Sequence, residues 1–216
     1  MEVAAEDIAF EGGRFGVPGT NIEPLPFAKV ARMAYLGHVL PDAMEPGLDE
    51  TLFYDPTGMG APSGVHMAYV EVDPDTGMVE ILDYVAVDDA GVIINPLLAR
   101  GQIHGGVAQG IGQALYEEAR YDRDSGQLPT GSLLDYGLPR ADLLPMIRSQ
   151  FQETPSPTNP LGVKGVGESG AIGAPSTIVH AVLDALAPFG ITHLDMPLTP
   201  QKIWAAIRDA GPAAAA

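Results

Sequence analysis

The chain has 216 residues, 46% of them apolar, and a formal net charge of −17. That is enough apolar content for a packed core and too much for a disordered chain. The acidity argues against nucleic acid or an anionic membrane surface, because phosphate binding needs clustered Lys and Arg. With no cysteine, the chain cannot form disulfides, thiolate metal sites or a cysteine nucleophile. The length allows one large domain or two small ones. The acidic start, Met1–Asp7, lacks the basic and apolar regions of a secretory leader. No apolar run is long enough to span a bilayer, and a cytoplasmic location is expected. The histidines at 38, 66, 104, 180 and 193 show no ligand spacing, so no protein-ligated metal is expected.

The first elements are a hairpin over 8–17, turning at Glu11-Gly12-Gly13, and a short helix over 25–37 carrying Phe27, Val30, Ala31, Ala34 and Tyr35. The Pro- and Gly-rich stretch 38–64 reads as a long connection. Strands follow at 67–72 and 78–88, joined through Asp73-Pro74-Asp75-Thr76-Gly77. Asn95-Pro96 closes the region after the second strand. The apolar stripe Val107, Ile111, Leu115 predicts a helix over 103–119. Its glycines 105, 106, 110 and 112 each cost about 1 kcal/mol relative to Ala in a helix interior. They serve either tight packing or a backbone surface for a large ligand, with Gln102 and Gln109 supplying amides.

A second hairpin is expected over 121–136, turning at Asp122–Gly126, then a strand over 146–153. Pro155, Pro157 and Pro160 enforce an extended path into a glycine loop. A helix over 174–187 stops at Gly190 and a short strand runs over 191–196. A last helix opens with Thr199 as N-cap and Pro200 at its first position, and a frayed tail covers 213–216. The class is α+β, with hairpin-paired strands packed with helices.

The loop Gly162-Val163-Lys164-Gly165-Val166-Gly167-Glu168-Ser169-Gly170 holds one carboxylate among four glycines. Backbone without Cβ atoms can approach a ligand closely, so Glu168 is a candidate general base. The alternative is a carboxylate that caps the next helix, favourable by about 0.3–1 kcal/mol. Gly165-x-Gly167-x-x-Gly170 mimics a dinucleotide fingerprint, but prolines rather than a strand precede it. No Lys-Ser or Lys-Thr pair follows, so a P-loop fails as well. Ser169 lacks the spacing of a nucleophile elbow, which leaves a serine hydrolase as a distant reading.

Several stretches together resemble the C-terminal part of the molybdenum-binding large subunit of the xanthine dehydrogenase/aldehyde oxidase family. The likeness is strongest to aerobic, carbon-monoxide-dehydrogenase-type large subunits. It is carried by Val85–Gly91, Ile94-Asn95-Pro96, Gly101–Gly112, Gly131–Tyr136, Pro155–Pro160, the glycine loop and Asp195–Pro200. The resemblance implies that Glu168 acts as the base beside molybdenum in water-derived hydroxylation of a carbon centre. It implies that Gln102 hydrogen-bonds the pterin, that Lys164, Gly165, Val166 and Gly167 approach it, and that Gly105, Gly106 and Gln109 form the surface near it. The implied cofactor is molybdopterin cytosine dinucleotide with molybdenum, held by pterin sulfurs rather than cysteine. Iron–sulfur and FAD centres are expected on partner chains.

Family large subunits are several times longer than this chain. Residues 1–212 are therefore expected to form an incomplete, C-terminal part of the molybdopterin-binding domain, whose upstream portion is a partner or missing sequence. Aldehydes, N-heterocycles and carbon monoxide are all substrates of relatives, but the pocket-lining residues that choose among them lie mostly outside this chain, and nothing in it supports carbon monoxide. A truncated remnant that retains assembly surfaces without catalysis stays open as an alternative.

Overall fold

The computed structural model describes residues 1–41 and 44–211, and the tail expected to fray at 213–216 lies outside them. The chain divides into two compact units, Met1–Asp55 and Pro56–Ala216.

In the first unit the expected hairpin forms. Strands β1 (Ala9–Glu11) and β2 (Arg14–Gly16) pair antiparallel, and β2 then pairs with β3 (Leu25–Pro26). The two-residue turn places Gly12 and Gly13 at φ 55° and 75°, a conformation that a Cβ disfavours. Helix α1 (Phe27–Ala34) follows directly, shorter than the 25–37 expected. Phe10, Phe15 and Phe27 cluster with ring centroids 4.7–6.1 Å apart, which ties the hairpin to the helix.

The second unit holds the main core. Strands β4 (Ser63–Val72) and β5 (Val79–Asp89) form the predicted antiparallel pair. In their turn, Asp73 Oδ1 accepts from Asp75 N and Gly77 takes φ 72°. Strand β6 (Ile147–Phe151) adds to β5 in parallel, giving the order β4–β5–β6. This parallel pair is an exception to the mostly hairpin pairing expected. The stretch between β5 and β6 contains helix α2, long enough for the crossover that parallel pairing requires.

Helix α2 spans Pro96–Leu115 rather than 103–119. Asn95 is its N-cap: Oδ1 accepts from Leu97 N and Leu98 N at 3.1 Å, and Pro96 suits the first helical position because its missing N–H would be an orphan there. Helix α3 spans Ser169–Ala185 and contains Pro175, so it begins five residues before the 174 expected. Helix α4 spans Pro200–Ala210, with the expected cap, since Thr199 Oγ1 accepts from Lys202 N. Residues from β5, α2, α3 and α4 build one core, including Tyr84, Ile103, Ile111, Ile178, Leu186 and Ile203.

Two expected strand features are corrected. At 121–136 the turn exists, with Asp122 Oδ1 accepting from Ser125 N at 2.8 Å, but no ladder flanks it. The second arm runs into Pro129, which has no donor, and Gly131, which has no side chain to pack. At 191–196 the backbone is irregular. Ile191 and Leu194 still pack on the core, so side-chain burial, not ladder pairing, explains their apolar character.

Candidate functional site

Helices α2 and α3 meet backbone to backbone. A Cβ on Gly106 would lie 2.8 Å from Ala171 N, and one on Gly170 would lie 2.7 Å from Val107 N. A Cβ on Gly110 would lie 2.6 Å from the Ala174 side chain. Tight packing therefore accounts for Gly106 and Gly110. Gly105 differs: it is exposed, and nothing lies within 4 Å of where its Cβ would be. Gln102, Gly105 and Gln109 are all exposed. Their i, i+3, i+7 spacing puts them on one face of α2, opposite the buried Ile103, Val107 and Ile111.

The glycine loop reaches this face. A Cβ on Gly167 would lie 3.8 Å from Gln102 Oε1, so the expected glutamine and the expected loop are neighbours. Gly165 also has nothing within 4 Å of its Cβ position. Val166 points the other way and packs against the core. Glu168 follows at the N-cap of α3. Its carbonyl accepts from Ile172 N at 3.0 Å, but its side chain makes no capping hydrogen bond. The carboxylate thus stands at the helix N-terminus, where the helix favours its charge, without bonding to it, and it is exposed at the edge of the loop.

The loop's stem is tied down by many bonds. Asn159 accepts from Val163 N at 3.1 Å and donates to Val163 O at 2.9 Å. Gly162, at φ 68°, accepts from Val92 N and Ser156 N. Lys164 N donates to Ala90 O, and Lys164 Nζ donates to Asp89 Oδ2 at 2.7 Å. Asp89 Oδ1 further accepts from Gly91 N and Thr154 N. The Lys164 ammonium, then these amides, hold the Asp89 carboxyl far below the usual carboxylate range. The Lys164 side chain therefore anchors the loop to the end of β5.

Beside Ser169 an open cleft of about 290 Å³ lies between the start of β4 and the first turns of α3. Ser63, Ser169, Ser176 and Thr177 line it, and His66 and Asp88 reach it from the sheet. These last two were not singled out from sequence. The available signal was strand alternation: His66 shares the inward face of β4 with Ala68 and Val70, where a polar ring needs partners. Among the described residues, no group of three or more His, Cys, Asp or Glu is placed to hold a metal ion.

These observations suit a flat, polar cofactor that brings its own metal ligands. Two side-chain-free positions face open space, two glutamine amides flank one of them, and one carboxylate stands free.

Comparison with known proteins decides the family. The profile of a family described as "Molybdopterin cofactor-binding domain" matches residues 1–145. The chain belongs to this family. It is 43% identical over 204 residues to the nicotine 6-hydroxylase large subunit of Paenarthrobacter nicotinovorans, covering 94% of this chain and 25% of that protein. It is 38% identical to the carbon monoxide dehydrogenase large chain of Hydrogenophaga pseudoflava, covering 97% of this chain and 26% of that one. Its fold matches the crystal structure of quinoline 2-oxidoreductase from Pseudomonas putida 86 with a TM-score of 0.86 and 43% identity, over 96% of this chain and 26% of that one. The chain is a C-terminal portion of a molybdopterin-binding large subunit of this kind, and it spans about a quarter of the length of these relatives. No helix among the described residues is long and apolar enough to cross a membrane.

Proposed function

We propose that this chain supplies the catalytic base and one wall of the cofactor cradle of a molybdenum hydroxylase. The observation that carries this reading is the approach of Gly167 to Gln102. It sets the exposed face of α2 beside the loop that ends in Glu168. Residues 1–212 act as part of a molybdopterin-binding domain completed by the upstream portion of the large subunit. The cofactor is molybdopterin cytosine dinucleotide, and iron–sulfur and flavin subunits carry electrons away. The substrate is a small molecule of the kinds that the relatives' names describe.

When bound, the molybdenum centre supplies the two-electron oxidation that accompanies transfer of a water-derived oxygen to carbon. The chain's own residues hold and aim. Gln102 and Gln109 offer amide hydrogen bonds to the pterin from one helix face. Gly105, Gly165 and Gly167 let the backbone come within hydrogen-bond reach of it. Val166 fixes the loop to the core, and Lys164 fixes it to Asp89. A Glu168 carboxylate oxygen, unbonded to its own helix, is free to take the proton released as the new carbon–oxygen bond forms.

The test is a complex of this chain with the upstream portion of a large subunit and its electron-transfer subunits. It is assayed with aldehydes, N-heterocycles and carbon monoxide against an artificial electron acceptor. Glu168→Gln should retain molybdenum content and lose about 10²–10⁴-fold in turnover, the range a general base contributes. Full turnover in that variant would overturn the assignment.

A further inference from the structure

We propose that His66 is a positioning residue for the first turn of α3 and, through that turn, for Glu168; the proposal rests on the reading of Glu168 as the base. His66 and Asp88 have side chains only 3% exposed. His66 Nε2 lies 3.3 Å from both Asp88 oxygens. A carboxylate can only accept, so this nitrogen carries a proton and donates. His66 Nδ1 lies 2.8 Å from the Tyr84 hydroxyl. Burial pushes that phenol well above its usual pKa, so it stays neutral as a hydrogen-bonding link. Thr177 Oγ1 donates to Gly173 O at 2.8 Å. Asp88 and Tyr84 on β5 thus hold both nitrogens of the His66 ring on β4, beside the α3 turn whose Gly173 carbonyl Thr177 bonds.

The imidazole also sets the distance between sheet and helix. A Cβ on Gly173 would lie 2.6 Å from His66 Nδ1 and 2.7 Å from its Cε1. The ring therefore packs on bare helix backbone, five residues after Glu168. On the adjoining face, one turn earlier, Gly170 rests on α2 at Gly106 and Val107. The start of α3 is thus fixed by two close contacts, to α2 at Gly170 and to the His66 ring at Gly173, that admit no side-chain slack. Its N-cap residue is the one with a free carboxylate, so the ring that wedges the turn fixes where that carboxylate points.

Tyr84 and Asp88 from β5 and Gly173 from α3 all face the ring. Removing the imidazole leaves Asp88 buried without its donor and leaves a gap against α3. Adding a methyl at Gly173 displaces the turn the other way. Both changes act on one contact, so their effects must be coupled.

Amide hydrogen exchange on the 216-residue chain reads the position of the turn without needing activity. In His66→Ala, exchange at Ser169–Gly173 should rise at least tenfold more than at amides of α4. Gly173→Ala should do the same, and its added effect should shrink in the His66→Ala background. In the loaded complex, His66→Ala should lower kcat on the order of 10²-fold, the loss that misplacement of a reacting group by about 1 Å causes, with KM within about twofold. His66→Gln, which keeps an amide donor toward Asp88, should recover part of the loss. A uniform rise in exchange across all helices, or additive effects of the two substitutions, would overturn the proposal. The exchange result stands apart from the base assignment: if Glu168→Gln stays active while the exchange pattern holds, the base reading fails and the wedge remains.

Discussion

Glu168 is conspicuous because its side chain bonds to nothing in its own helix. Lys164, four residues earlier, is conspicuous for the opposite reason. Its ammonium is spent on Asp89 at 2.7 Å, and both side chains are only 12–13% exposed. The linkage has a definite sign. The folded pKa of Asp89 lies below the unfolded value of about 3.9. Folding is therefore favoured by this group wherever the unfolded carboxyl is also ionised, above about pH 4, and the contribution is lost as pH falls toward the folded pKa. Lys164→Met should lower stability at neutral pH and flatten the acid limb of stability below about pH 4. Urea unfolding of both proteins between pH 7 and the acid limit measures this. Superimposable acid limbs would show that the pair does not anchor the loop.

The glycines of α2 separate into two physical kinds, and substitution at each should differ in sign. At Gly106 an added methyl meets the backbone of α3 at 2.8 Å. Overpacking of this sort costs about 1–3 kcal/mol, against a gain of about 1 kcal/mol from helix propensity. Gly106→Ala is expected to be neutral to destabilising by about 2 kcal/mol. At Gly105 the methyl meets nothing, so Gly105→Ala should stabilise the isolated chain by about 1 kcal/mol. If the cofactor lies on that face, the same variant should bind it more weakly in the assembled complex. Chemical denaturation of the chain, with molybdenum content of the complex, reads both halves. A Gly105→Ala protein that is stabilised and fully loaded would place the cofactor elsewhere.

Element by element, what could be read from sequence was what local chemistry dictates. The hairpin at Gly12-Gly13, the β4–β5 pair and the Thr199-Pro200 helix start all rest on turn or cap residues acting within a few positions. Asn95-Pro96 carries an equally local signal, a capping residue before proline, which starts α2 rather than closing a strand. The parallel docking of β6 onto β5 is a long-range event with no local mark. The start of α3 at Ser169 was hidden because glycines and Pro175 argue against helix, and contact with α2 overrides that preference. At the site, Gln102 and the loop were legible as separate motifs, whereas their meeting at Gly167 depends on the α2–α3 crossing. His66 was invisible as a wedge because its partner, Gly173, contributes only the absence of a side chain.

For the whole molecule, two surface properties oppose one another. The formal charge of −17 makes copies repel. Yet the outer face of β4 exposes Val65, Met67 and Tyr69 by 71%, 68% and 68%, on a ten-residue strand at the edge of its sheet. Such a face, on an open edge, favours pairing with another chain. Salt weakens the repulsion, since the screening length falls from about 10 Å at 0.1 M to about 3 Å at 1 M, while apolar contact is little affected by screening. Without a larger partner, the chain should run as a monomer at about 20 mM salt and as dimers or larger species at about 0.5 M. Replacing Met67 and Tyr69 by Lys puts charge on the edge strand, the device that natural sheets use against edge pairing, and reduces the net negative charge as well. If charge repulsion alone governed association, that variant would associate more readily than the parent. If the sheet face governs it, the variant should stay monomeric at both salt concentrations with an unchanged circular dichroism spectrum. Analytical ultracentrifugation at the two salt concentrations separates these outcomes, because they predict shifts in opposite directions.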